Sequence, residues 1–143
     1  MIDINDLTEI PDFAGYYASP NGKIYTTLAK GCRDRYNMSK RTAPREMTPR
    51  ITIYGYDRVY MRRESTGKRE DVYIHRIIAE LFVPNPRGVA EVNHLDCNRR
   101  NNAASNLEWV TRNENLDYAF TDGFMTRDKF GRFCNKLSQN KAA

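Results

Sequence analysis

The stretch Glu91-Val92-Asn93-His94-Leu95-Asp96, followed by Asn101-Asn102, then Asn106-Leu107-Glu108-Trp109-Val110-Thr111 and Glu114-Asn115, decides the reading of this chain. One of only two histidines lies inside it. Amides and an imidazole at this density are poor core material. They suit a place where a base activates water beside a metal ion and a phosphate. Val89 to Leu95 reads as a strand that reaches His94, Asp96 to Ser105 as a polar loop, and Leu107 to Val110 as a second strand anchored by Trp109. Thr111-x-x-Glu114 fits a capping box, with hydroxyl and carboxylate satisfying free backbone N–H groups at a helix start. The helix should run to about Phe120 and stop near Asp122-Gly123. Residues 89–120 then form one strand–strand–helix unit, in which His94 and Asn115 can face one small space.

Upstream, Ile74-His75-Arg76-Ile77-Ile78-Ala79-Glu80-Leu81-Phe82 carries a helical apolar face through Ile77, Ile78, Leu81 and Phe82, with Pro84 and Pro86 as stops. Asp71 to Ile74 reads as a strand before it, and Ser65-Thr66-Gly67-Lys68 as a turn. Ile51 to Tyr54 and Arg58 to Met61 alternate around Gly55-Tyr56-Asp57 and read as a hairpin. Another hairpin is expected around Pro20-Asn21-Gly22, where Tyr16, Tyr17 and Tyr25 should pack rather than stack on a ligand. Residues 28–49 lack periodicity and are expected to be a loop that orders on a polyanion. Residues 124–143 read as a polar, basic tail with Phe124, Phe130 and Phe133 as docking points and a disordered end. The fold class is α+β: N-terminal β-hairpins and a small antiparallel sheet, then the strand–strand–helix unit. The expected division is 1–70 as a β-rich docking module, 71–123 as the unit that carries the site, and 124–143 as the tail.

Charge supports a polyanionic partner. The net +5 is uneven: residues 1–29 hold one base and four acids, residues 30–70 twelve bases and five acids, and residues 71–143 ten bases and nine acids. The middle third concentrates the positive field. Cys32, Cys97 and Cys134 are odd in number and widely spaced, which argues for thiols in a reducing compartment and against a disulfide framework or a four-ligand zinc site. No apolar run is long enough to cross a membrane, and Met1-Ile2-Asp3-Ile4-Asn5-Asp6 lacks the apolar segment of a secretory signal. A cytoplasmic location is expected.

The motif resembles that of the HNH endonuclease family, whose fold is called ββα-metal. It is most similar to phage and intron homing endonucleases, through Asn93, His94, Asp96, Asn98, Asn101, Asn102, Asn106, Leu107, Trp109, Val110, Thr111 and Asn115. Ile74-His75-Arg76-Ile77-Ile78-Ala79 resembles the helix start found ahead of that motif, and residues 10–27 resemble a small module that accompanies such nucleases. The resemblance implies hydrolysis of a DNA phosphodiester with a divalent metal, Mg²⁺ with Mn²⁺ as a substitute. His94 would be the general base. Asn93 and Asn115 would hold the metal. Asn106 would tie backbone across the loop and hold His94 in place, and Asp96 would brace the same loop. The sequence departs from the pattern twice. Asn93 stands where some relatives carry Asp, which weakens attraction for Mg²⁺. Cys97 stands where relatives usually carry Gly, so the loop is expected to avoid the backbone angles that Gly tolerates.

The expected partner is double-stranded DNA, bound by a monomer or homodimer through Arg58, Arg62, Arg63, His75, Arg76, Arg99, Arg100 and Arg112. Twenty residues after Gly123 are too few for a helix-turn-helix, so recognition is expected to be loose or shared with a partner. The alternative is a DNA-binding module of the same fold with weak or no catalysis, which Asn93 keeps open. A nuclease for RNA or branched DNA is a third reading. A phage or mobile-element origin is expected.

Overall fold

The computed structural model describes residues 2–28, 41–121, 125–127 and 133–135. Residues 29–40 of the expected loop, Cys32, Phe124, Phe130 and the side chains of Phe133 and Cys134 lie outside the described residues.

Strands β1 (Thr8–Glu9), β2 (Tyr16–Ser19), β3 (Lys23–Leu28) and β4 (Arg41–Glu46) form an antiparallel sheet in that order. The β2–β3 hairpin turns on Pro20-Asn21-Gly22 as its sequence demands, with Gly22 at φ 83°. All four residues of β2 are buried, and Tyr16, Tyr17 and Tyr25 pack inside the module. Strand β4 corrects the expectation of a loop over residues 28–49. Arg-Thr-Ala-Pro-Arg-Glu has no alternating pattern, but it pairs along β3 at the sheet edge. An edge strand tolerates Pro44, because the missing N–H can face away from the ladder.

Strands β5 (Arg50–Ile51), β6 (Asp57–Arg62) and β7 (Arg69–Tyr73) form a second antiparallel sheet. Period-two alternation along β6 sends Asp57, Val59 and Met61 inward and the intervening residues outward. Helix α1 (Ile74–Phe82) follows β7 directly and ends at Val83, one residue before Pro84. It buries Ile74, His75, Ile77, Ile78 and Ala79. Strands β8 (Glu91–His94) and β9 (Leu107–Val110) pair antiparallel, with Asn93 opposite Glu108 and His94 opposite Leu107. Helix α2 (Arg112–Thr121) leaves β9 through the expected capping box: Glu114 N–H donates to Thr111 Oγ1 at 3.2 Å, and Thr111 N–H donates to the Glu114 carboxylate at 2.8 Å. Strands β10 (Met125–Arg127) and β11 (Phe133–Asn135) pair antiparallel within the stretch read as a tail.

One core joins these parts. Ile10, Phe13, Tyr16, Ala18 and Ile24 cluster with Val59 and Met61 of β6, with Ile74, Ile77, Ile78 and Ala79 of α1, and with Leu107 of β9. Helix α1 is the shared wall. Its apolar side chains each contribute roughly 1.5–3 kcal/mol when fully buried, so the hairpin sheet and the ββα unit are held in one relative placement. A close approach at the surface reinforces this. The tip of the β2–β3 hairpin lies against the loop between β8 and β9. Pro20 C=O accepts from Ala104 N–H at 2.8 Å, and a Cβ on Gly22 would lie 2.4 Å from the Asn102 carbonyl carbon.

Candidate active site

His94 ends β8 and is 5% exposed. It lines a pocket with Asn93, Asn115, Tyr56, Arg99 and Cys97. The hairpin and the following helix therefore bring together the three residues that the motif nominated for base and metal.

The imidazole has a defined hydrogen-bond partner. His94 Nε2 lies 3.1 Å from Asn102 Oδ1. Asn102 Nδ2 donates at 3.4 Å to Asp57 Oδ2 and at 3.4 Å to Arg100 C=O. Those two oxygens can only accept, so the Asn102 amide presents its oxygen to His94. The network thus assigns Nε2 as the protonated nitrogen and leaves Nδ1 with the lone pair. Asp57 is buried and also accepts from Arg100 Nε at 3.1 Å. Burial lowers the His94 pKa, against opposing pulls from Asn102, Asp96 and Asp57. That shift favours the neutral ring, the form a base requires.

Behind His94 stands an aromatic cluster. His75 lies 5.3 Å from His94, 5.1 Å from Tyr56 and 5.5 Å from Tyr73, centroid to centroid. His75 is 8% exposed, and its Nδ1 is buried without a hydrogen-bond partner among the described residues. Burial, then the neighbouring His94 and Arg76, push its pKa down to about 3.

Asn106 does not line the pocket. It knots the loop: Nδ2 donates to Asp96 Oδ1 and to Asn101 C=O at 2.8 Å each, Oδ1 accepts from Asp96 N–H at 3.1 Å, and its own C=O accepts from Leu95 N–H. Asp96 accepts further from Asn98 N–H and from the Asn101 amide. The bond to Asn101 from its amide comes first among the causes that lower the Asp96 pKa. The side chain that hydrogen-bonds the His94 ring among the described residues is Asn102. Cys97 departs from the expectation drawn from its lack of a Gly. It adopts φ 61°, the left-handed conformation, so the loop keeps a Gly-like shape without Gly. Its N–H donates to His94 C=O at 3.0 Å, which holds that turn closed.

The basic residues divide. Arg99 lies over the Tyr56 ring at 4.8 Å and lines the pocket. Arg76, Arg100 and Arg112 are exposed, and Arg62 is half-buried on β6. Arg58 pairs with Asp71 at 3.4 Å. Arg63 commits its guanidinium to Asp12 and Glu70 and lies over Phe13 at 4.7 Å. Sequence reasoning assigned no role to Asp57, Tyr56, Glu91 or Glu108. Asp57 carries no local signal, since it meets Asn102 across 45 residues. Glu108 could have been found by counting the β8–β9 register back from His94.

Residues 72–116 match the model of the HNH endonuclease family. Over these residues the chain is similar to HNH endonucleases. The match opens at Val72 in β7 and closes at Leu116 in α2, and so encloses His75, Asn93, His94, Asn106 and Asn115. An uncharacterized HNH endonuclease of Acanthamoeba polyphaga mimivirus is 36% identical over 84 residues, which cover 59% of this chain and 24% of the relative. The DNA endonuclease I-HmuI of Bacillus phage SP01 is 32% identical over 75 residues, 52% of this chain and 42% of the relative. A solved structure described as DNA binding and cleavage by the HNH homing endonuclease I-HmuI superposes with a TM-score of 0.62 at 25% identity, over 82% of this chain and 59% of that one. The α+β fold is thus that of an HNH homing endonuclease, and the likeness extends well beyond the HNH unit into the N-terminal sheets. The chain spans less than half the length of these two curated relatives.

Proposed function

We propose that this chain is a divalent-metal-dependent endonuclease for double-stranded DNA. The observation that carries the reading is the convergence of His94, Asn93 and Asn115 on one pocket, with His94 Nε2 held by Asn102 so that Nδ1 is the available base. The water proton would pass to His94 Nδ1 as the water oxygen attacks phosphorus. The bond from phosphorus to the 3′ oxygen would break, and that oxygen would take a proton from solvent. A 5′ phosphate and a 3′ hydroxyl result.

The donor set fits a hard cation. Asn93 and Asn115 each give their Nδ2 to a carboxylate, at 3.0 Å to Glu108 and 2.7 Å to Glu91. Their Oδ1 atoms remain as ligands of the kind Mg²⁺ or Mn²⁺ takes. Two neutral oxygens are few, so phosphate oxygens and waters would complete the shell. Bound there, the ion would stabilise negative charge developing at the phosphate and the leaving oxygen. Arg99 stands at the pocket wall, where its guanidinium can hold a neighbouring phosphate. Arg58, Arg62, Arg76, Arg100 and Arg112 would contribute sequence-independent attraction along the duplex, and Arg63 would support the sheet beneath them. The division into a docking module at 1–70, an HNH unit at 71–123 and a tail at 124–143 is retained as a functional one, across a shared core. Its kinship with virus and phage proteins suits a mobile-element gene acting in the cytoplasm as a monomer or homodimer.

The test is conversion of supercoiled plasmid to open-circle or linear DNA by wild type and His94→Ala, with Mg²⁺, Mn²⁺ or EDTA. Metal-dependent cutting that the variant lacks is expected. Equal cutting by both proteins would remove His94 from the mechanism. Asn93 in place of a carboxylate favours one other reading, a DNA-binding module without catalysis. Retarded DNA with no cutting in any metal would establish that reading instead.

A further inference from the structure

We infer that Glu91 and Glu108 are positioning residues that set the direction of the two amide ligands and supply the charge those ligands lack. The inference rests on the metal site of the preceding reading and assigns it a second layer.

A carboxylate cannot donate a hydrogen bond at neutral pH. An Asn side chain facing one must therefore present its NH₂ group to it, and its oxygen points the other way. Asn93 meets Glu108 Oε1 through Nδ2 at 3.0 Å, and Asn115 meets Glu91 Oε2 through Nδ2 at 2.7 Å. Both asparagines line the pocket beside His94. The same device thus operates twice, from independent elements. Glu108 lies directly across the β8–β9 ladder from Asn93. Glu91 lies on β8, two residues before Asn93, and reaches Asn115 on α2. Neither glutamate lines the pocket, so each acts through its amide.

Two effects follow. The amides cannot turn their NH₂ groups toward a cation, so both oxygens are preorganised. Each amide is also polarised by the carboxylate behind it, which draws electron density toward Oδ1 and strengthens the donor. Asn93 stands where a ligating carboxylate would carry a formal charge. Here that charge is moved back one residue layer, to Glu108. A neutral inner shell with an anionic outer shell attracts the cation less than a direct carboxylate does, and it leaves more of the ion's charge for phosphate oxygens.

The experiment is Mn²⁺ titration of the purified chain, followed by the paramagnetic resonance of free Mn²⁺, with circular dichroism to verify folding. Glu108→Leu and Glu91→Leu should each weaken Mn²⁺ binding by about ten- to a hundredfold. Glu108→Gln keeps an acceptor and loses the charge, so it should lose less than Glu108→Leu. The exchange Asn93→Asp with Glu108→Gln restores a donor–acceptor pair with the charge on the ligand. It should bind at least as tightly as wild type. Leucine variants within twofold of wild type would overturn the inference, as would an exchange variant no better than Glu108→Leu. A wild type that takes up no Mn²⁺ at millimolar concentration would overturn it too. Plasmid cutting by the same preparations separates this inference from the function. Cutting with Mn²⁺ affinity unaltered by the leucine variants sinks the positioning role and leaves the endonuclease. Glutamate-dependent Mn²⁺ binding without cutting sinks the endonuclease and leaves the positioning role.

Discussion

Acid should destabilise this protein through His75 before its carboxylates titrate. The buried ring has a pKa of about 3 in the fold against 6.5 for an ordinary histidine. At pH 7 the side chain is neutral in the fold and mostly neutral in the unfolded chain, and it contributes little to pH dependence. As the pH falls below 6.5, the unfolded chain binds a proton that the folded chain refuses until about pH 3. Stability is therefore lost with falling pH, at about 1.4 kcal/mol per unit. Between pH 7 and pH 4.5 the loss from this one group comes to about 2.5 kcal/mol, a large share of the roughly 5–15 kcal/mol that holds a typical domain. The physical cause is that α1 places His75 at 8% exposure among Tyr56, Tyr73 and His94, where an imidazolium has no acceptor at Nδ1. The assay is urea unfolding followed by Trp109 fluorescence, for wild type and His75→Phe, at pH 7 and pH 4.5. Phe has no proton to bind, so the stability difference between the two proteins should shift by about 2.5 kcal/mol toward the variant at the lower pH. Differencing the proteins cancels groups remote from His75, including Glu114, held down to about 2 by Arg87. A difference that stays constant to within about 0.5 kcal/mol between the two pH values would refute the reasoning.

Three further outcomes are expected. Asn102→Ala should lower kcat for plasmid cutting by about ten- to a hundredfold with little change in KM, because the base loses the acceptor at Nε2 and is free to take the other tautomer; an unchanged kcat would show that the ring needs no such anchor. Cys97→Gly should raise the unfolding free energy by roughly 0.5–1 kcal/mol in the same urea assay, since φ 61° strains any residue with a Cβ, whereas a loss of stability would mean that the cysteine side chain outweighs the backbone strain. Gly22→Ala should cost more than about 2 kcal/mol, combining the left-handed φ with a Cβ driven into the Asn102 carbonyl, and should lower plasmid cutting as well; full activity with wild-type stability would separate the hairpin tip from the loop that holds His94.

Much of the ββα unit was legible because its signals are local. The Thr111 and Glu114 capping box closes within one helical turn, the Pro20-Asn21-Gly22 turn dictates its own backbone angles, and the spacing from Asn93 to Asn115 spans two short strands and a helix start. Such patterns depend on neighbours in the chain, so a sequence displays them directly. The same reading placed residues 41–46 in a loop, since they show no alternation. Only the exposed edge of β3 makes them a strand. It expected Asn106 to tie backbone across the loop, which its hydrogen bonds do, but it gave no separate task to Asn102, which meets the ring.

By itself, then, the sequence nominated a class of chemistry, a candidate base in His94 and the pair of amides, Asn93 and Asn115, that line its pocket. Tertiary structure decided how those groups are aimed. The tautomer of His94 depends on Asn102, which depends on Asp57 from a different sheet and on a loop that the N-terminal hairpin presses into place. The direction of the Asn93 and Asn115 amides depends on a glutamate brought near by strand register or helix docking. The burial that holds both histidines neutral arises where α1 packs between the sheets. Orientation, register and desolvation come from segments far apart in the chain, and a one-dimensional pattern carries the donors and acceptors but not the contacts that point them.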